Sequence, residues 1–203
     1  MQNLGAIAAA KTPMRPIPIS ELTNDSLIIR LHFTVNHLSR WLTPVHDWTL
    51  LERSTRRGEP SAKELLLRLR DEELRVFPQL HLIATRTVPD LDGLALPART
   101  PAERLSDQEA KILEVMAEFR RLRQSTCGLL RSLPDGAWTR VGISRREHDW
   151  TIRALAEHLA THDLETLGAL DRALEGAGVR SRIATVSRAR LDQVVAVSPE
   201  TIK

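Results

Sequence analysis

The sequence is poor in cysteine and in aromatic residues. Cys127 is the only cysteine among 203 residues, which excludes an internal disulfide and any Cys-x-x-Cys zinc or redox motif. Tyrosine is absent, and no apolar run approaches the roughly 18 residues that suggest a membrane span. The apolar stretch near the start has no cationic residue ahead of it, so we do not expect a secretory signal. These absences predict a cytoplasmic protein without a membrane partner.

Charge of one sign is not concentrated anywhere in the chain. The 29 lysines and arginines are interleaved with 26 aspartates and glutamates, and the formal net charge is only +3. Nucleic-acid binding usually requires a basic patch or stripe, which this pattern does not provide. We therefore expect no nucleic-acid partner.

Apolar residues are present in quantity, at 42% of the chain, and recur at helical spacing. Prolines at 13, 16 and 18 predict an extended lead-in over residues 1–19. Residues 20–175 form the predicted domain, and residues 176–203 have no firm period and are assigned to a C-terminal arm. Ser61 with Glu64 matches a capping box at the start of the second helix, and Ser106 with Glu109 marks the start of the third helix. The four predicted helices span about 20–42, 61–85, 106–133 and 151–174.

These helices indicate one fold class. Strand-like alternation is scarce, and the segment 88–101 is proline-containing and irregular. Four long amphipathic helices bury their apolar faces most simply against one another. The prediction is an all-α four-helix bundle with a long crossover between the second and third long helices.

Two carboxylates fall on the predicted apolar faces. Glu73 lies near the middle of the second helix stripe, and Asp163 lies near the centre of the fourth. Buried carboxylates need partners, so each either reaches water or loop backbone near the end of the core, or joins a shared polar cluster inside the bundle. The flanking polar residues available for such a cluster are Arg68, Glu72, His162 and Thr166.

Two segments carry a family resemblance. LLLRLRDEELRVFPQLHLI at 65–83 and LAEHLATHDLETLGAL at 155–170 resemble the DinB-like superfamily of bacterial four-helix bundles, whose corresponding helices carry patterns similar to HLRDxE and HxxxHDxxH. The resemblance implies a divalent metal, zinc or nickel, held by three histidines, and thiol transferase, isomerase or hydrolase activity. The ligand positions correspond to Arg68, His162 and Thr166, so only one histidine is retained.

A guanidinium repels a metal, and threonine is a poor neutral donor. We therefore predict that the metal is absent and that Arg68 replaces its charge, donating to Glu72 and to Glu73 or Asp163. The favoured function is then a binding module for a small molecule, or an interaction module.

The alternative is a metal-dependent enzyme with a substituted ligand set around His162. His158 and His162 are one helical turn apart, and Glu72 or His46 would complete such a set. The preferred interpretation of His158 is nevertheless a solvent-facing residue.

Other residues allow weaker predictions. Cys127 is interpreted as a small buried thiol rather than a nucleophile. The four tryptophans lie near helix ends or loops, where they close the ends of the bundle or line a mouth for an apolar ligand: Trp41, Trp48, Trp138 and Trp150. A homodimer through the helix faces or the C-terminal arm is a further expectation.

Overall fold

The computed structural model describes residues 17–94 and 99–180. Six helices lie in these ranges: α1 Asn24–Leu42, α2 Thr49–Glu52, α3 Ala62–Thr85, α4 Pro101–Glu109, α5 Ile112–Ser132 and α6 Ile152–Gly176. Two short strands, β1 Val141–Gly142 and β2 Trp150–Thr151, separate α5 from α6. Residues 1–16 and 181–203 lie outside the description, and with them most of the predicted lead-in and C-terminal arm.

Local signals in the sequence set the starts of two long helices. The Ser61 hydroxyl accepts from the Glu64 N–H at 3.2 Å, and the Glu64 carboxylate accepts from the Ser61 N–H at 2.6 Å. This is the predicted capping box of α3. Thr151 caps α6 by accepting from the Ala154 N–H at 3.0 Å.

The four long helices form the predicted bundle. Helices α1 and α3 each pack against both α5 and α6, so α1 and α3 lie diagonally across the bundle. Two apolar clusters fill its interior. One contains Leu38, Leu66 and Leu170, and the other contains Leu31, Leu80 and Leu159. Glu73 and Asp163 fall between these clusters along their helices.

The predicted start of the third long helix is wrong. Ser106 lies inside the separate helix α4, which opens with a Thr100–Glu103 capping box followed by proline at its first position. Ala110 is extended, with φ −59° and ψ 139°, so the chain breaks before α5 begins at Ile112. The buried Arg70 guanidinium donates to both carboxylate oxygens of Asp107, at 2.6 and 2.9 Å, and this ion pair holds α4 against α3.

A small hairpin places Trp150 beside the bundle. Val141 pairs with Thr151 and Gly142 with Trp150 in an antiparallel register. A side chain at Gly142 would lie 2.8 Å from Ile83, so the hairpin approaches α3 at a distance that favours glycine. Sequence periodicity could not predict two strands of two residues each. None of the helices in the described ranges is long and apolar enough to cross a membrane.

Candidate functional site

A cluster of charges lies at the centre of the bundle. The Arg123 guanidinium on α5 donates through Nε to Glu73 on α3, and through Nη1 and Nη2 to Asp163 on α6, at 2.5 and 2.9 Å. The three side chains are at most 2% exposed. Because both ends of the core are filled by apolar clusters, these carboxylates form a shared cluster and do not sit at the end of the core.

Hydroxyl groups complete this central cluster. Thr126 Oγ1 donates to Glu73 at 2.5 Å, and Thr34 Oγ1 on α1 donates to Asp163 at 2.6 Å. Arg123 Nη1 also donates to the Leu31 carbonyl at 2.9 Å. All four carboxylate oxygens therefore have donors, and each long helix contributes a side chain. A fully satisfied network of this kind positions the helices rather than offering free groups for chemistry.

Burial alone would lower the pKa of the Arg123 guanidinium, but the attraction of Asp163 and Glu73 outweighs it and raises that pKa. Arg123 therefore stays charged at any pH at which the protein folds.

Arg30 is a second buried cation near Asp163. It is 6% exposed, and its Nε and Nη2 atoms have no hydrogen-bond partner among the described residues. Burial lowers the pKa of Arg30, and the attraction of Asp163 offsets part of this effect. Two arginines and two carboxylates then balance in charge inside the bundle.

Arg68 does not occupy the position predicted for it. Its side chain is exposed on α3 and bonds to none of Glu72, Glu73 and Asp163. The cation comes from α5 instead, where Arg123 lies in the apolar stripe at a spacing of four from both Phe119 and Cys127. A charged residue inside that stripe was the sequence signal for the cluster.

Thr166 is buried but donates to neither carboxylate. Cys127 is buried as predicted, and burial raises the pKa of its thiol, which disfavours a nucleophilic thiolate.

A second cluster lies on the outer face between α3 and α6. His158 Nε2 is 2.5 Å from Glu72 Oε1, so the interpretation of His158 as solvent-facing is wrong. Arg75 donates to both oxygens of Glu72, at 2.6 and 3.2 Å, and its Nη2 atom lies 2.9 Å from His158 Nε2. His162, one turn further along α6, is half-buried, and its buried Nδ1 atom has no partner among the residues that the structure describes. Glu72, Arg75, His158 and His162 form what we term the lateral cluster.

The lateral cluster keeps Glu72 ionised. Burial would raise the pKa of Glu72, but hydrogen bonds from His158 and Arg75, with the charge of Arg75, lower it to about 2. The 2.5 Å contact is a hydrogen bond to the carboxylate in the tautomer that carries its hydrogen on His158 Nε2. A nitrogen that carries a hydrogen has no lone pair to offer a metal.

The arrangement of these residues does not fit a metal. Two ligand atoms on one tetrahedral zinc ion stand roughly 3.3 Å apart, given bond lengths near 2.0 Å. Glu72 Oε1 and His158 Nε2 are 2.5 Å apart, with a guanidinium against both atoms. His46, the predicted loop ligand, is exposed. Within residues 17–94 and 99–180, no group of three or more histidine, cysteine, aspartate or glutamate side chains is arranged to hold a metal ion.

A cleft opens beside the lateral cluster, with a volume of about 440 Å³. It lies between α3, the turn at 91–94 and the loop at 144–150. The Trp150 ring separates it from the lateral cluster and meets the His158 ring edge to face, with centroids 5.6 Å apart. The polar and aromatic side chains that line it are those of Gln79, Asp92, Ser144, Arg146, Glu147 and Trp150.

Comparison with known proteins supports the fold. No family model and no curated protein matches the chain. Among solved structures the chain is similar to YfiT from Bacillus subtilis, described as a probable metal-dependent hydrolase with an unusual four-helix bundle topology. The two share 17% identity with a TM-score of 0.63, over 81% of this chain and 97% of YfiT. Similarity at this identity establishes fold and not activity. The chain therefore has a four-helix-bundle fold similar to that of YfiT, and a four-helix bundle is what its sequence predicts.

Proposed function

We propose that this chain is a DinB-like bundle that binds a small molecule without a metal. One observation carries the proposal: Arg75 lies against the Glu72 and His158 atoms that would have to coordinate the ion. In this proposal the charge that a metal would supply comes from the Arg75 guanidinium, and not from Arg68 as the sequence predicted. The central cluster then has a structural role, because all four of its carboxylate oxygens are engaged.

The second candidate is a metal-dependent enzyme. The likeness to YfiT, a probable metal-dependent hydrolase, favours it, as does the buried His162 Nδ1 atom, which has no partner among the described residues. For this function Arg75 would have to leave Glu72, and His158 Nε2 would have to lose its hydrogen. A metal would then have to replace the bidentate ion pair of Arg75 with Glu72 and the hydrogen bond of His158 to the same carboxylate.

Metal content separates the two candidates. Protein purified without a chelating tag is incubated with zinc, nickel or manganese, desalted and measured by elemental mass spectrometry. We expect far less than one metal per chain, because Arg75 already lies against the Glu72 and His158 atoms that a metal would need. About one metal per chain, lost in His158→Ala and retained in His32→Ala, would overturn the proposal. His32 is an exposed histidine on α1 and serves as the matched control.

The predicted homodimer is a separate proposal. Sedimentation equilibrium of the full chain measures it directly, and a single species at the mass of one chain, 22.8 kDa, would contradict it.

A further inference from the structure

The cleft beside Trp150 contains a buried acceptor without a donor. The Gln79 side chain on α3 is 5% exposed, and its Oε1 atom has no hydrogen-bond partner among the described residues. A buried carbonyl oxygen left unpaired is costly, and most such groups in folded proteins have a partner. Gln79 lines the cleft, so a molecule that enters the cleft can supply that donor.

The polar groups around the cleft are mainly acceptors. Asp92 accepts from the Ser144 hydroxyl and from the Arg145 N–H, both at 2.8 Å, and these bonds fix its carboxylate at the rim. Glu147 accepts from the Trp150 indole N–H at 3.0 Å. Among the described residues that line the cleft, Arg146 is the one with a cationic side chain. The lining therefore carries two carboxylates and one amide oxygen but one guanidinium. This excess of acceptors and negative charge favours a neutral or cationic ligand that carries N–H donors.

Trp150 supplies a flat apolar surface in the same cleft. Its ring packs against the His148 ring, with centroids 4.0 Å apart, and makes a T-shaped contact with the His158 ring. Its indole N–H is held by Glu147, so the ring orientation is fixed before a ligand arrives. A rigid indole favours planar ligands, and it favours cations through its ring face.

We propose that this cleft is the binding site for a small planar molecule that bears an amide, amidine or amine group. The N–H group of the ligand donates to Gln79 Oε1, while its apolar body lies against Trp150. This assignment deepens the proposed function and rests on it, since it gives the location and the chemical class of the ligand.

Three probes of equal size test the assignment. Benzamide carries neutral N–H donors, benzamidine carries cationic ones, and benzoate carries none. Titration of the full chain is followed by the NMR shift of the Trp150 indole N–H, which is assigned with Trp150→Phe. We expect millimolar binding of benzamide, tighter binding of benzamidine, and binding of benzoate at least tenfold weaker than that of benzamide, because benzoate leaves Gln79 unpaired and meets two carboxylates.

Variants at Gln79 make the test specific. Gln79→Met keeps the size of the side chain but removes the acceptor, and we expect it to weaken benzamide binding about tenfold. Gln79→Glu keeps the acceptor, adds a negative charge and should strengthen benzamidine binding. Gln124→Met, at an exposed position on α5, is the matched control and should leave both affinities unchanged.

Two results would overturn the assignment. If benzoate binds as well as benzamide, the Gln79 amide presents its N–H₂ group to the cleft and the ligand class is wrong. If no probe shifts the Trp150 signal, or if Gln79→Met binds benzamide as well as the native chain, the cleft is not the site. Neither result bears on metal content, so this assignment can fail while the metal-free function stands.

Discussion

Removal of the Arg123 guanidinium is the most demanding test of the central cluster. Arg123→Met keeps most of the side-chain volume and leaves Glu73 and Asp163 buried without their cation. Removing one partner of a buried ion pair costs about 3–5 kcal/mol, and two carboxylates lose a partner here, so the upper end of that range applies. With a urea m value of about 2 kcal/mol/M, the unfolding midpoint should fall by about 2 M.

Two further proteins decide whether this reasoning holds. Arg121→Met, on the exposed face of the same helix, should change the free energy of unfolding by less than about 0.5 kcal/mol. The quadruple variant Arg30→Met, Glu73→Gln, Arg123→Met, Asp163→Asn removes all four of these buried charges and should recover at least half of the lost stability. Urea unfolding followed by circular dichroism at 222 nm measures each protein. A loss of less than about 1 kcal/mol in Arg123→Met, or a quadruple variant as unstable as the single one, would refute the electrostatic account.

Two other predictions concern the lateral cluster and the hairpin. The pKa of Glu72 is lowered from 4.5 to about 2, so its contribution to stability is present above about pH 4.5 and is lost as the pH falls towards 2. When the pH is lowered from 4.5 to 2, the free energy of unfolding, measured by urea titration, should therefore fall less for Glu72→Gln than for the native chain. An equal fall in the two proteins would contradict the ion pair. Gly142→Ala should cost about 1–3 kcal/mol, because the new methyl group meets Ile83 at 2.8 Å and Leu91 at 2.9 Å. Gly128→Ala, where nothing lies within 4 Å on α5, should instead stabilise the protein by about 0.5–1 kcal/mol in thermal melts.

The bundle could be predicted from the sequence because its helices are long, amphipathic and capped. The spacing of apolar residues correctly predicted that Glu73 and Asp163 lie on the buried faces of their helices, since each is at most 1% exposed. The crossover helix α4 was missed because it has no buried residue and therefore no apolar stripe. Its capping box, Thr100 to Glu103, was the available signal.

The contacts that the site residues make were harder to predict than the helix faces on which they lie. A helical angle shows which residues share a face, but not which neighbouring helix that face meets. Arg68 was chosen because it stands at a histidine position of the resembled family, while the cation that reaches Glu73 comes from α5, 50 positions along the chain. His158 was misjudged for a similar reason: its angle points away from the core stripe of α6, yet Glu72 and Arg75 extend from α3 to meet it.

The central cluster constrains how this sequence can diverge. Its four main residues come from four different helices, and each forms a hydrogen bond with a residue of another helix: Thr34, Glu73, Arg123 and Asp163. Loss of one charged residue unbalances the buried charges, whereas an exchange of Glu73, Arg123 and Asp163 for apolar side chains that also replaces Arg30 does not. We expect diverged relatives of this chain to keep these residues together or to replace them together. Their joint presence in a distant sequence would then identify a relative even where overall identity is too low to align.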